Sequence, residues 1–109
     1  MIKFLTSFRA ALLLGKANKR LENGRYRDAL ERALKAKKLP LNPHFEWLCH
    51  SIEGKSRYHL GDSENALPAL RKAEELLQAI AQARADSRHM QNIVGDIRAY
   101  IEKIEQDGA

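Results

Sequence analysis

Apolar residues recur at three- and four-residue steps along most of the chain, which is the spacing of one face of an α-helix. No stretch alternates strictly between apolar and polar over the length of a strand. Few β-branched or aromatic strand formers are present, with Thr6 and Val94 each the single residue of its type. The pattern predicts an all-α fold with about five helices. The five stripes run from Phe8 to Leu21, Tyr26 to Leu34, Phe45 to Ser56, Leu67 to Ile80 and Met90 to Ile104.

Turn and capping residues separate these stripes. Gly24 and Gly61 suit the left-handed conformation that ends a helix. A new stripe begins at once after Gly24, and Asp62 after Gly61 is the cap of the fourth helix. The segment Leu39–Pro43 must break the chain, with Asn42 as the cap of the next helix. The segment Ala85–Ser87 offers a cap before the fifth stripe. We therefore predict a single domain over residues 1–109, with antiparallel helix pairs at about 8–38 and 43–82 and a capping helix at about 87–106.

The third stripe is accompanied by a second one on the same helix. Trp47, Gly54 and Tyr58 form it, on a different face from Leu48 and Ile52. A helix that is apolar on two faces is covered on two sides. We therefore expect the third helix to lie between neighbours.

A short segment repeats along the chain. Gly24 and the pair Ala29-Leu30 match Gly61 and the pair Ala66-Leu67, with small residues at matching positions further on. This repeat resembles the tetratricopeptide family, whose helix pairs recur about every 34 residues. The resemblance covers roughly residues 10–77 as two degenerate repeats, and it implies a stack of antiparallel helix pairs, a right-handed α-solenoid fragment with the last helix as its cap. Four positions depart from the family pattern: Ala17 replaces a Gly, Asn23 and Glu53 each replace a Leu, and Tyr58 falls one residue late.

Size and composition suit one globular domain. Of the 109 residues, 44% are hydrophobic and 30% charged, which is too apolar for a disordered chain. The lone Cys49 cannot form an internal disulfide, and no run approaches the roughly 20 apolar residues of a membrane span. Arg9 interrupts the apolar N-terminal segment, and no small-residue cleavage site follows it. We expect a cytoplasmic protein without a membrane span.

The charge is unevenly distributed. Residues 1–59 contain thirteen Lys or Arg against five Asp or Glu, whereas residues 60–109 contain six against nine. A basic half suits nucleic acid, an anionic lipid surface or an acidic partner, although a solvated helix face has the same composition. Trp47 and Tyr58 could stack on bases in the nucleic-acid case. The basic residues nominated for nucleic acid are Arg20, Arg25, Arg27, Arg32, Lys35, Lys37 and Lys38.

No motif for catalysis or metal binding is complete. Gly54-Lys55-Ser56 resembles the end of a phosphate-binding loop, but Cys49 stands where that loop needs a Gly. His44-x-Glu46 lacks the paired cysteines of a zinc deaminase, and the histidines show no paired ligand spacing. We expect Cys49 to be a small buried hydrophobe. The chain is therefore predicted not to be an enzyme and to hold no metal or cofactor.

What remains is a surface for a partner. In the tetratricopeptide family the first helix of each pair lines a concave groove, which the resemblance places on three helices here. The family's clamp for a C-terminal carboxylate is not matched, because Leu14 and Ile52 occupy two of its places. We expect an adaptor that binds a peptide or protein, with an acidic peptide suited to a basic groove. The alternatives are nucleic-acid binding and self-assembly through Ile2, Phe4, Leu5 and Phe8. The nominated groove residues are Leu14, Asn18, Glu22, Ser51, Lys55, Tyr58 and Arg98.

Overall fold

Five helices make up the chain in the computed structural model, which describes the backbone of residues 2–83 and 88–107 and the side chains from Ser7 onward. No strand occurs in these two ranges. The predicted all-α fold with five helices is confirmed. Helix α1 begins about six residues earlier than the apolar stripe had indicated. The helices are α1 (Ile2–Glu22), α2 (Tyr26–Lys37), α3 (Pro43–His59), α4 (Ser63–Gln82) and α5 (Arg88–Asp107).

The helix boundaries lie where the sequence places turns and caps. Gly24 and Gly61 have φ of 77° and 87°, a conformation that a side chain would strain. The Asn42 side chain accepts a hydrogen bond from the backbone N–H of Phe45 at 2.8 Å, with Pro43 in the first turn. Asp62 caps α4 through the N–H of Asn65 at 3.3 Å. The predicted cap at Ala85–Ser87 lies outside the described residues.

Short turns pair the helices into hairpins. Three residues join α1 to α2 and α3 to α4, so each pair is antiparallel and closely packed. Helix α2 then packs on α3, and α4 packs on α5. Helix α3 also contacts α1 and α5, and it is therefore the centre of the stack. No helix in the described ranges is long and apolar enough to cross a bilayer.

Two hydrophobic clusters occupy opposite sides of α3. One joins α1, α2 and α3 and is built largely from small residues. The other joins α3, α4 and α5. The predicted burial of α3 on two sides is confirmed, since Cys49 and Ile52 belong to the first cluster and Trp47 to the second. The first cluster contains Leu14, Ala17, Ala29, Ala33, Ala36, Cys49 and Ile52.

Candidate partner-binding groove

An open groove of about 510 Å³ lies between α1, α3 and α5. We call this cleft the groove. The sequence had nominated four of its lining residues, Asn18 and Glu22 from α1 and Ser51 and Lys55 from α3. The structure thus brings these four nominated residues together around one cleft. The other lining residues are Trp47 and Leu48 from α3 and His89, Asn92, Ile93 and Asp96 from α5.

The remaining three nominated residues do not line the groove. Leu14 is 1% exposed in the α1–α2–α3 cluster, so its side chain has no surface to offer. The reason is that a four-residue step drifts by about 40° around a helix, which leaves Leu14 on the core side of Asn18. Tyr58 packs edge-on against Tyr100, outside the set of lining residues. Arg98 points towards α4, where its Nε lies 3.2 Å from Glu74 Oε2.

The charges of the groove are mostly matched within it. The Lys55 ammonium forms an ion pair with Asp96 of α5 and lies 5.5 Å from the centre of the Tyr100 ring. Glu22 Oε1 accepts a hydrogen bond from Asn18 Nδ2 at 3.3 Å. The lining thus carries two carboxylates and one ammonium group. This differs from the basic groove expected from the sequence, because the surplus of basic residues lies elsewhere on the chain.

Several of the basic residues nominated for nucleic acid already have acidic partners. Arg20 and Arg32 both lie 3.1 Å from Asp28, and Arg32 is four residues from it within α2. Lys37 Nζ lies 3.1 Å from Glu53 Oε1. In contrast, Arg25, Arg27, Lys35 and Lys38 are exposed. These four exposed residues are therefore accessible to a polyanion.

Trp47 is not available as a stacking platform. Its ring is only 5% exposed and belongs to the α3–α4–α5 cluster. Its indole Nε1–H donates to His44 Nδ1 at 3.3 Å. A base could not reach the ring face without opening the core, so stacking on Trp47 is not supported by its position.

An aromatic cluster joins three helices next to Lys55. The Tyr26 and His59 rings stack at 4.2 Å between centroids, nearly parallel, and His59 Nε2 lies 3.1 Å from the Tyr100 hydroxyl. Burial, and to a lesser extent Asp96, raises the pKa of Tyr100. Burial and then Lys103 lower the pKa of His59. The sequence gives no sign of this cluster, because only the packing of α2, α3 and α5 brings its members together.

A second cleft of about 300 Å³ lies between α2, α3 and α4. The buried carboxylate of Glu53 lines this cleft and pairs with both Lys37 and Arg57, each at 3.1 Å. His50 also lines this cleft, and burial followed by repulsion from Lys37 lowers its pKa. This cleft is therefore lined by an ion-pair network that joins α2 to α3.

Cys49 lies in the core. Its Sγ donates to the Ala33 carbonyl at 3.2 Å, and burial, with smaller effects from nearby charges, raises the pKa of the thiol to about 11. A thiol with this pKa is a poor nucleophile at neutral pH. Across residues 2–83 and 88–107, no group of three or more His, Cys, Asp or Glu side chains is arranged to hold a metal ion.

Comparison of the chain with protein-family models, with curated proteins and with solved structures finds no match in any of the three. The tetratricopeptide assignment therefore stays a prediction from the repeated Gly and Ala-Leu positions. The groove and its contacts, which come from the structure itself, carry the functional argument.

Proposed function

We propose that this chain is a binding module that holds a segment of a partner protein in the groove between α1, α3 and α5. The observation that carries this proposal is the groove itself, where side chains from three helices converge around an open cleft. Concave clefts with apolar walls and a few polar groups are the usual form of a recognition site. The stacked hairpins give this cleft a rigid frame, as the tetratricopeptide resemblance also implies.

The lining suggests the chemistry of the partner. Leu48 and Ile93 are half-buried apolar walls, and Glu22 adds a carboxylate beside the Lys55–Asp96 ion pair. Asn18 and Asn92 carry side-chain amides that can donate to and accept from a peptide backbone. We therefore favour a peptide with an apolar anchor and a neighbouring Lys or Arg, in place of the acidic peptide expected from the overall charge.

A library of random displayed peptides, selected on the immobilised protein, tests this proposal. We expect the selected peptides to combine an apolar residue with Lys or Arg. Asn92→Trp should fill the groove and weaken their binding by about tenfold or more, which corresponds to about 1.4 kcal/mol. Gln91→Trp is the matched control, because Gln91 is exposed on the same helix but does not line the groove. Equal loss in both variants, or selection of no peptide, would contradict the proposal.

Nucleic acid is the alternative, and the exposure of Arg25, Arg27, Lys35 and Lys38 is the observation that favours it. A generic oligonucleotide measured at two salt concentrations separates it from the groove proposal. If nucleic acid is the partner, affinity falls steeply with salt, and Lys35→Ala with Lys38→Ala lowers it. Asn92→Trp leaves that binding unchanged.

A further inference from the structure

Helix α1 presents an apolar outer face that no other helix covers. Phe8 is 57% and Leu12 is 48% exposed, and among the described side chains only Leu60 is a further large hydrophobic residue with high exposure. Phe8 and Leu12 are four residues apart and therefore lie on one side of α1. Ala10, Leu14 and Ala17, which are buried, form the opposite side. Ile2, Phe4 and Leu5, which the sequence had nominated for self-assembly, have side chains outside the described part of the chain.

The charged residues of α1 that precede Glu22 are all positive. Lys16 and Lys19 continue the same side of α1 by one and two turns, and Arg9 lies at its edge, with all three exposed. The sequence contains no Asp or Glu before Glu22, and Glu22 lines the groove. The outer face of α1, defined by Phe8, Leu12, Lys16 and Lys19, is thus apolar in one half and basic in the other.

We propose that the outer face of α1 docks on the surface of an anionic lipid bilayer. The helix would lie in the plane of the interface, with Phe8 and Leu12 between the headgroups and the lysines against lipid phosphates. Amphipathic helices with basic flanks bind membranes in this way, through apolar burial together with attraction to anionic lipids. This association is peripheral, in keeping with the lack of a bilayer-spanning helix in the described ranges.

The positive charge of this face favours lipid as the occupant. Arg9, Lys16 and Lys19 are exposed beside Phe8 and Leu12. On a lipid surface, many anionic headgroups can meet these basic residues at once. In a two-fold dimer, the same positively charged face would meet itself without a complementary charge.

Co-sedimentation with vesicles tests the docking surface. The vesicles are phosphatidylcholine alone or phosphatidylcholine with about 30% phosphatidylglycerol, at low and high salt. We expect binding to the anionic vesicles only, weakened by salt. Phe8→Ser with Leu12→Ser should reduce it by about tenfold or more. Leu60→Ser is the apolar control, and it should bind as the parent does.

A second pair of variants tests the basic half of the face. Lys16→Ala with Lys19→Ala should lower binding several-fold, whereas Lys35→Ala with Lys38→Ala, also exposed, should change it much less. Absence of binding to anionic vesicles overturns the proposal, as does equal binding by the Phe8/Leu12 variant. Sedimentation equilibrium provides a further check. A dimer that the Phe8/Leu12 substitutions abolish would identify a second copy as the occupant and overturn lipid docking.

Discussion

Ser56 places a hydroxyl group in the interior of α3. The residue is fully buried, and its Oγ has no hydrogen-bond partner within the described part of the chain. A buried polar group without a partner has lost its hydration and gained nothing in return. Ser56→Ala should therefore raise the free energy of unfolding, by about 1 kcal/mol or more, as measured by urea denaturation. Ser63→Ala, at the less buried start of α4, should change it by less than about 0.5 kcal/mol. Destabilisation by Ser56→Ala would reveal a partner for the hydroxyl.

Glu53 shows the limit of sequence reasoning for single residues. The tetratricopeptide pattern has a Leu at this position, so from sequence the carboxylate is only a departure from that pattern. The structure explains it, because Glu53 is buried and pairs with both Lys37 and Arg57. Arg57 is four residues away and could be anticipated from helix geometry. Lys37 lies on another helix, and no local pattern links it to Glu53.

The helix ends were predictable because their signals are local. Asn42 and Asp62 bond to N–H groups three residues ahead, and Gly24 and Gly61 have the positive φ that turns require. These interactions depend on neighbours in sequence, so residue types alone indicate them. The start of α1, in contrast, lies about six residues before the first residue of the apolar stripe.

Gly54 determines how closely α3 approaches α4. A Cβ added there would lie 2.5 Å from Leu70 Cγ and 3.1 Å from the Leu70 backbone nitrogen. Gly54→Ala should therefore destabilise the protein by about 1 to 3 kcal/mol, through overpacking against a fixed backbone. Gly95→Ala is the matched control, since nothing lies within 4 Å of a Cβ there in the middle of α5. Because Ala favours helix more than Gly, this control should raise stability by about 0.5 to 1 kcal/mol.

Thermal and urea denaturation of the two glycine variants distinguish packing from helix propensity. Opposite shifts in the free energy of unfolding are the expected result. If Gly54→Ala were as stabilising as Gly95→Ala, the α3–α4 contact would be looser than the structure shows. Gly54 would then have no role in packing α3 against α4.

At the scale of the whole molecule, the arrangement of the helices was predictable but the character of the groove was not. Two-sided burial of α3 follows from its two apolar faces, and the four nominated lining residues follow from the repeat. The charge of the groove depends on the pairing of Lys55 with Asp96 across two helices. The net charge of residues 1–59 does not reveal which basic residues have acidic partners on other helices. It therefore led to the expectation of a basic groove.

We expect two histidines, His50 and His59, to make the stability of the fold sensitive to acid. The pKa of His50 and that of His59 are both lowered from the ordinary 6.5, chiefly by burial. Lys37 adds repulsion at His50, and Lys103 does so at His59. Such a histidine binds fewer protons in the folded than in the unfolded state. The stability it contributes is therefore fully present above pH 6.5 and is lost as pH falls through the folded pKa.

We expect the free energy of unfolding to fall between about pH 7.5 and pH 5, a window in which histidines titrate and most carboxylates stay ionised. Urea denaturation at several pH values measures this decline. His50→Gln and His59→Gln should each flatten it, and the double variant should flatten it most, because neither glutamine gains a charge. His89→Gln removes an exposed imidazole and should leave the decline in place. If the free energy of unfolding of the double variant fell with pH as steeply as that of the parent, other groups would be the cause of the acid sensitivity. A rise in stability towards pH 5 would contradict the lowered pKa of these histidines.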